Sequence, residues 1–213
     1  MDVLTGKDAV IGILAALHER ARSGRGQLIE VNLLSSLLGS LANQASAYLS
    51  TGVSPSRMGN QHPSIAPYET LHCQDGRLAV ACGNNRQFAR LCEVLGRPTL
   101  ALDPRFATNP ARVAHRDELV TALEGALQPH PVTYWAARLT DVGVAAGPVN
   151  DIGGALRLAE SLGLAPTVPV GDGHPDQVRH ALTWSRSPLT TPTPPPALGE
   201  HTAATCTRLE DRR

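Results

Sequence analysis

A carboxylate stands at the second position of the chain, in the string Asp2-Val-Leu-Thr-Gly6, directly before an apolar-periodic stretch. Such a side chain either helps close the N-terminus of the helix behind it or presents an anionic nucleophile to a substrate. A second group of chemistry-bearing residues lies in Met58-Gly59-Asn60-Gln61-His62-Pro63-Ser64-Ile65-Ala66-Pro67-Tyr68. Its backbone N–H groups, the amides of Asn60 and Gln61 and the imidazole of His62 are donors of the kind that steady a developing oxyanion. They are equally the makings of an ordinary polar loop. The tight turn Gly24-Arg25-Gly26-Gln27 reads as a helix C-terminal glycine cap, which needs no ligand.

The common chemical signatures are absent. The chain has no G-x-G-x-x-G, no G-x-x-x-x-G-K-[ST], no H-E-x-x-H and no G-x-S-x-G. Cys73, Cys82, Cys92 and Cys206 contain no Cys-x-x-Cys and have no histidine at finger spacing, so no metal site is expected. They read as free thiols of a cytoplasmic protein. The 19 basic and 19 acidic side chains cancel, which removes the electrostatic footprint of a nucleic-acid binder. The longest mainly apolar run, residues 9–17, is far short of the roughly 20 residues that span a bilayer. No basic stretch precedes an apolar one at the start, so no secretory signal and no membrane partner are expected.

The elements that must position these residues read as α/β. Apolar residues at Val10, Ile11, Leu14 and Leu17 predict an amphipathic helix over 8–22, followed by a strand over 27–31 and a helix over 33–48. Residues 51–67 are irregular. Residues 68–73 and 77–82, joined through Asp75-Gly76, predict a β-hairpin. Helical periods recur over 86–95, 112–127, 132–142 and 151–162. Extended pieces are expected at 167–170 and 180–184, and residues 190–196 are all Pro or Thr, which excludes a helix. Asp103-Pro104-Arg105-Phe106 and Asn109-x-x-Arg112 read as a capped turn before a helix, a structural feature.

The order of segments carries more information than any one of them. Asp2-x-x-x-Gly6, Ala15-Ala16-Leu17-x-x-Arg20, Ser23-Gly24-Arg25-Gly26-Gln27, Gly59-Asn60-x-His62-Pro63-x-x-x-Pro67-Tyr68, Asp75-Gly76, Gly83-Asn84-Asn85-x-Gln87-Phe88, Asp103-Pro104-Arg105-Phe106, Asn109-x-x-Arg112, Gly147-Pro148-Val149-Asn150 and Pro195-Pro196-x-Leu198-Gly199-Glu200-His201-Thr202 together resemble the class III CoA-transferases, the CaiB/BaiF family. The resemblance runs from Asp2 to Thr202 and corresponds to the second half of family members. Within the family the chain looks most like the succinyl-CoA-dependent dicarboxylate transferases.

The resemblance implies the family III fold: the C-terminal part of a Rossmann-like large domain plus a small α+β domain. Residues 1–57 would be large-domain helices and strand, 58–146 the small domain with its glycine loop, 147–202 a return to the large domain, and 203–213 a disordered tail. It implies Asp2 as nucleophile, with Gly59, Asn60, Gln61 and His62 in the loop that shields the reacting groups; Arg20 and Gln27 read as structural. Coenzyme A enters as a thioester substrate, with a small carboxylic acid as its partner and no permanently bound cofactor. Most coenzyme A contacts would fall in the half not represented here, so no cofactor-binding residue is identified. The full-length form is expected to be an interlocked homodimer. Two alternatives remain: an α-methylacyl-CoA racemase-like enzyme, whose histidine would lie in the other half, and a non-catalytic fragment. In the last case the apolar faces over 9–17 and 33–41 lose the sheet they pack on, and the chain alone is expected to be aggregated or molten.

Overall fold

The computed structural model describes residues 1–187, 190 and 192–210. Met1–Gln61 and His62–Arg213 form two compact units.

In the first unit, α1 (Asp2–Ser23) begins several residues earlier than the apolar periodicity indicates. It ends at Gly24, whose φ of 72° no β-carbon opposes and whose N–H returns to Arg20 O at 2.9 Å. The strand expected over 27–31 does not form. A strand exists through its ladder partners, and no described residue pairs with this segment. Ile29 instead lies on Gly12, where an added β-carbon would meet Ile29 Cγ2 at 3.2 Å. The single helix expected over 33–48 is two: α2 (Leu33–Ser40), whose N-terminal Ser35 N–H donates to Asn32 Oδ1 at 2.9 Å, and α3 (Asn43–Thr51). They break at Ala42, φ 46°, three residues beyond Gly39 in the last turn of α2. Ser36 is the unit's one buried residue, and its hydroxyl donates to Asp8 Oδ2 at 2.6 Å. Val10, Ile11, Leu14 and Leu17 on α1 and Leu33, Leu34 and Leu38 on α2 are exposed, and no sheet within the unit covers them.

The second unit is built on a three-stranded antiparallel sheet. β1 (Tyr68–His72) and β2 (Arg77–Ala81) pair as the Asp-Gly spacing predicts, Tyr68 opposite Ala81 and His72 opposite Arg77. The turn closes with Cys73 N–H on Gly76 O at 2.8 Å. A third strand, β3 (Ala145–Pro148), lies beside β2 with Leu78 opposite Pro148 and straddles the small-domain limit expected at 146. Its Gly-Pro sequence hides it, since proline is confined to strand ends and edges.

Helices α4 (Asn85–Val94), α5 (Asn109–Ala114), α6 (Arg116–Leu127) and α7 (Val132–Asp141) complete this layer, with α6 against β1 and α7 against β2 and β3. The helix expected over 112–127 starts earlier, where Thr108 accepts the Ala111 N–H, and is interrupted at His115. Leu71, Leu78, Phe88, Leu91, Phe106, Leu119, Leu123, Leu127 and Leu139 fill the core, each contributing about 1.5–3 kcal/mol of burial.

Farther along, α8 (Ile152–Ser161) starts where Asp151 Oδ1 accepts the Gly154 N–H at 2.6 Å. β4 (Thr167–Val168) pairs with β5 (Gln177–Val178), so the extended reading of 167–170 is realised in part and that of 180–184 is not. No helix forms over the described part of 190–196. The tail expected to be disordered over 203–213 contains α9 (Thr202–Glu210), which follows a turn in which Glu200 Oε2 accepts the Ala197 N–H at 2.7 Å. Every residue of α9 is exposed; residues 211–213 lie outside the described set.

Candidate functional site

Asp2 opens α1 and is exposed. Met1 is the N-cap residue, and no side chain caps this helix. The capping alternative for Asp2 therefore falls, and its carboxylate stands in the first turn, where the helix dipole favours negative charge. In the same unit a cleft of about 470 Å³ is lined by Leu4, Asp8, Glu30, Asn32, Ser35 and Ser36, among others.

Gly59 has φ 62°, and Gln61 N–H donates to Met58 O at 3.2 Å, so Met58 to Gln61 is a turn with Gly59 and Asn60 exposed at its tip. Gly59 and Gln61 line a larger cleft, about 770 Å³, whose walls are Leu38, Leu41, Tyr48 and Met58. Asp2 lines neither of these two clefts.

His62 belongs to the second unit. Its N–H donates to Tyr68 O at 3.0 Å, and its ring stacks on Tyr68 with centroids 5.1 Å apart. Nδ1 accepts the Ser64 N–H at 3.2 Å, so the neutral ring carries its hydrogen on Nε2. That leaves a donor available to an oxygen ligand.

Two of the residues that hold this segment, Asn109 and Arg112, are ones read from sequence as a structural turn; the third, Arg116, lies beyond that turn. The Asn109 amide donates to Ser64 O at 2.7 Å while its oxygen accepts the Ala66 N–H at 3.1 Å. Arg112, wholly buried, donates from Nε to Ala66 O at 2.6 Å, from Nη1 to Phe106 O at 2.8 Å and from Nη2 to Asn85 Oδ1 at 3.0 Å, with its guanidinium over the Phe88 ring. Arg116 donates from Nη2 to His62 O at 2.7 Å and Ile65 O at 3.1 Å, and from Nη1 to Glu69 at 2.8 Å. A signal for them exists in the sequence: Arg112, Arg116, Leu119 and Leu123 share one helical stripe, so two cations occupy core-facing positions and require buried acceptors.

The Gly83-Asn84-Asn85 segment works as a cap. Asn84 Oδ1 accepts the Gln87 N–H, and Gln87 Oε1 accepts the Gly83 N–H. Asp103 and Arg105 pair on the surface, and hydrogen bonds from Arg105 hold the Asp103 carboxyl below the usual range. Burial pushes Cys82 and Cys92 up to about 12, and pushes Cys73 up to about 11 with the Asp75 and Glu124 carboxylates adding to it. None of the three supplies a thiolate at neutral pH. Among the described residues no cluster of His, Cys, Asp and Glu could hold a metal ion, and no helix is long and apolar enough to cross a membrane.

Comparison with known proteins gives a consistent picture. The family model for CoA-transferase family III matches residues 1–202. A succinate–glutarate CoA-transferase of Agrobacterium fabrum is 40% identical over 98% of this chain and 53% of its own length. An acetyl-CoA:oxalate CoA-transferase of Acetobacter aceti is 38% identical over 75% of this chain and 41% of its own. The crystal structure of a CaiB/BaiF family protein from Brucella suis superimposes with a TM-score of 0.80 at 41% identity, covering 97% of this chain and 54% of that one. The chain thus spans about half the length of the relatives it matches.

Proposed function

Because the chain belongs to CoA-transferase family III, as the match over residues 1–202 establishes, we propose that it serves the transfer of coenzyme A from an acyl-CoA donor to a carboxylic acid. The observation that carries this reading is the 40% identity to a succinate–glutarate CoA-transferase across 98% of the chain. On the same ground, donor and acceptor are small dicarboxylates. Transferase is favoured over racemase because both relatives described above are transferases.

In the proposed chemistry an Asp2 carboxylate oxygen attacks the thioester carbonyl carbon of the donor. The tetrahedral oxyanion collapses, the C–S bond breaks, and coenzyme A thiolate leaves behind an aspartyl-acyl anhydride. The thiolate then attacks the aspartyl carbonyl, releasing the donor acid as its carboxylate and leaving an aspartyl-CoA thioester. The acceptor carboxylate repeats both exchanges in reverse, which regenerates Asp2 with no net proton change. Gly59, Asn60 and His62 supply donors to the oxyanions and keep water from the anhydrides. Coenzyme A is the substrate's own group, and no resident cofactor takes part. On this reading residues 1–57 and 147–202 belong to the large domain, 58–146 to the small one, and the full-length form is an interlocked homodimer.

The test is to incubate the protein with succinyl-CoA and glutarate and follow glutaryl-CoA by mass spectrometry. Formation of glutaryl-CoA, its loss in Asp2→Asn, and a coenzyme A adduct on the peptide containing Asp2 are expected. Transfer that survives Asp2→Asn would overturn the mechanism. The competing non-catalytic reading is motivated by the exposed apolar faces of α1 and α2, and it predicts neither transfer nor adduct.

A further inference from the structure

The reading above gives the segment around His62 a part in catalysis; on that reading rests the question of what holds the segment in shape. Residues 62–66 belong to no strand or helix, yet four of their five carbonyl oxygens and one of their amide N–H groups are taken by side chains from elsewhere. His62 O, Ser64 O, Ile65 O and Ala66 O all accept from Asn109, Arg112 or Arg116, and Ala66 N–H donates back to Asn109. A surface loop ordinarily leaves such groups to water. Here they are met by an amide and two guanidinium groups at spacing i, i+3, i+7, a single ridge that runs across the break between α5 and α6.

We propose that Asn109, Arg112 and Arg116 are positioning residues that fix the backbone of residues 62–66 and thereby hold the His62 imidazole in one orientation with Nε2 as its donor. Ser64 is the link between the two. Its N–H occupies His62 Nδ1 while its carbonyl is held by Asn109, so the group that selects the tautomer is itself anchored at its far end. Arg116 donates to His62 O, and Tyr68 takes both the His62 N–H and the ring face. Every freedom of the imidazole except its Nε2 edge is thus spoken for.

The burial pattern supports a demand beyond simple packing. Arg112 is fully buried and has no carboxylate among its hydrogen-bond partners, only three oxygen acceptors and the Phe88 face. A leucine in that place would fill the volume without desolvating a cation. What it would lose is the link from Ala66 to Asn85 and Phe106. The arrangement ties the loop to the start of α4 and to the turn before α5, two regions that carry the segments Gly83-Asn84-Asn85 and Asp103-Pro104-Arg105-Phe106.

The experiment uses the intact chain and three readouts. Imidazole nitrogen shifts report the His62 tautomer, amide hydrogen exchange reports Ser64, Ile65 and Ala66, and turnover is measured with succinyl-CoA and glutarate. In Asn109→Ala the tautomer is expected to become mixed, and exchange at Ser64 and Ala66 to rise about tenfold while Val80 in β2 is unchanged. Turnover is expected to drop about 100-fold in kcat with KM for succinyl-CoA little altered, since a small displacement of a positioned group costs that much. Arg116→Lys, which keeps the charge but loses the fork, is the second variant, expected to show the same changes in smaller measure. Wild-type tautomer and exchange in both variants would overturn the clamp. Wild-type kcat in a variant whose tautomer is mixed would overturn its role in positioning. If the unaltered chain transfers no coenzyme A while tautomer and exchange respond as expected, the functional reading fails and the clamp stands.

Discussion

Glu69 Oε1 and Arg116 Nη1 lie 2.8 Å apart with their side chains only 3% and 9% exposed, an ion pair shut inside the second unit. Arg116 Nη2 is committed to His62 O and Ile65 O. Removing the carboxylate alone leaves a buried cation without its counter-charge, so Glu69→Leu is expected to cost about 3–5 kcal/mol in denaturant unfolding. Adding Arg116→Met removes the stranded charge and is expected to recover part of that loss. Recovery stays incomplete because two loop carbonyls then lack donors, at about 1–3 kcal/mol each. A double variant no more stable than the single one would contradict this account.

In the first unit the comparable contact is Ser36 Oγ on Asp8 Oδ2, joining α2 to α1. With one buried residue in the whole unit, a single hydrogen bond to a charged acceptor is a large share of what holds these helices together. Ser36→Ala is expected to cost about 1–3 kcal/mol. Hydrogen exchange in α2 is the measurement; unchanged protection there would show that the helices are held by something other than this bond.

The four thiols divide three to one. Cys73, Cys82 and Cys92 are buried and Cys206 is exposed, so a disulfide reagent at neutral pH is expected to modify one thiol quickly and the other three only on unfolding. The same burial gives a sign to the alkaline stability. Below the ordinary thiol value of 9.0 all three are protonated whether folded or not, and their contribution is complete. From there to about 12 the unfolded chain releases protons that Cys82 and Cys92 retain when folded, so stability falls as pH rises. Thermal midpoints taken across that window should decline, and replacing both residues by alanine should flatten the decline.

The parts of this architecture legible in the sequence are those whose cause is local. Asp75-Gly76 between two apolar alternations gives the hairpin, and the glycine after Ser23 gives the end of α1. Residues 27–31 have a strand's composition but no neighbour to pair with, and composition cannot report a missing neighbour. The break at Ala42 arises in a residue type that favours helix, and Gly39, the one poor helix former nearby, lies inside α2 and not at the break. Among the candidate residues, Asp2 and the turn at Gly59 are recoverable by position, whereas the clamp is hidden because Asn109, Arg112 and Arg116 reach partners more than forty residues away. The apolar stripe that contains Arg112 and Arg116 was the one available hint, since a cation in a core-facing position must find acceptors.

Gly59 lets backbone conformation be separated from space. Nothing lies within 4 Å of where its β-carbon would stand, so any effect of substitution comes from holding φ at +62° and not from a clash. Asparagine visits that region more readily than alanine, and a β-branched residue hardly at all. Stability is therefore expected to fall in the order Gly59→Asn, Gly59→Ala, Gly59→Val, with alanine costing about 1–2 kcal/mol. If the turn also serves the chemistry proposed for it, transfer from succinyl-CoA should follow the same order, since each step pulls the Asn60 and Gln61 amides farther from their present places. A series in which stability follows this order while transfer stays constant would leave Gly59 as a fold residue only and move the oxyanion donors to His62.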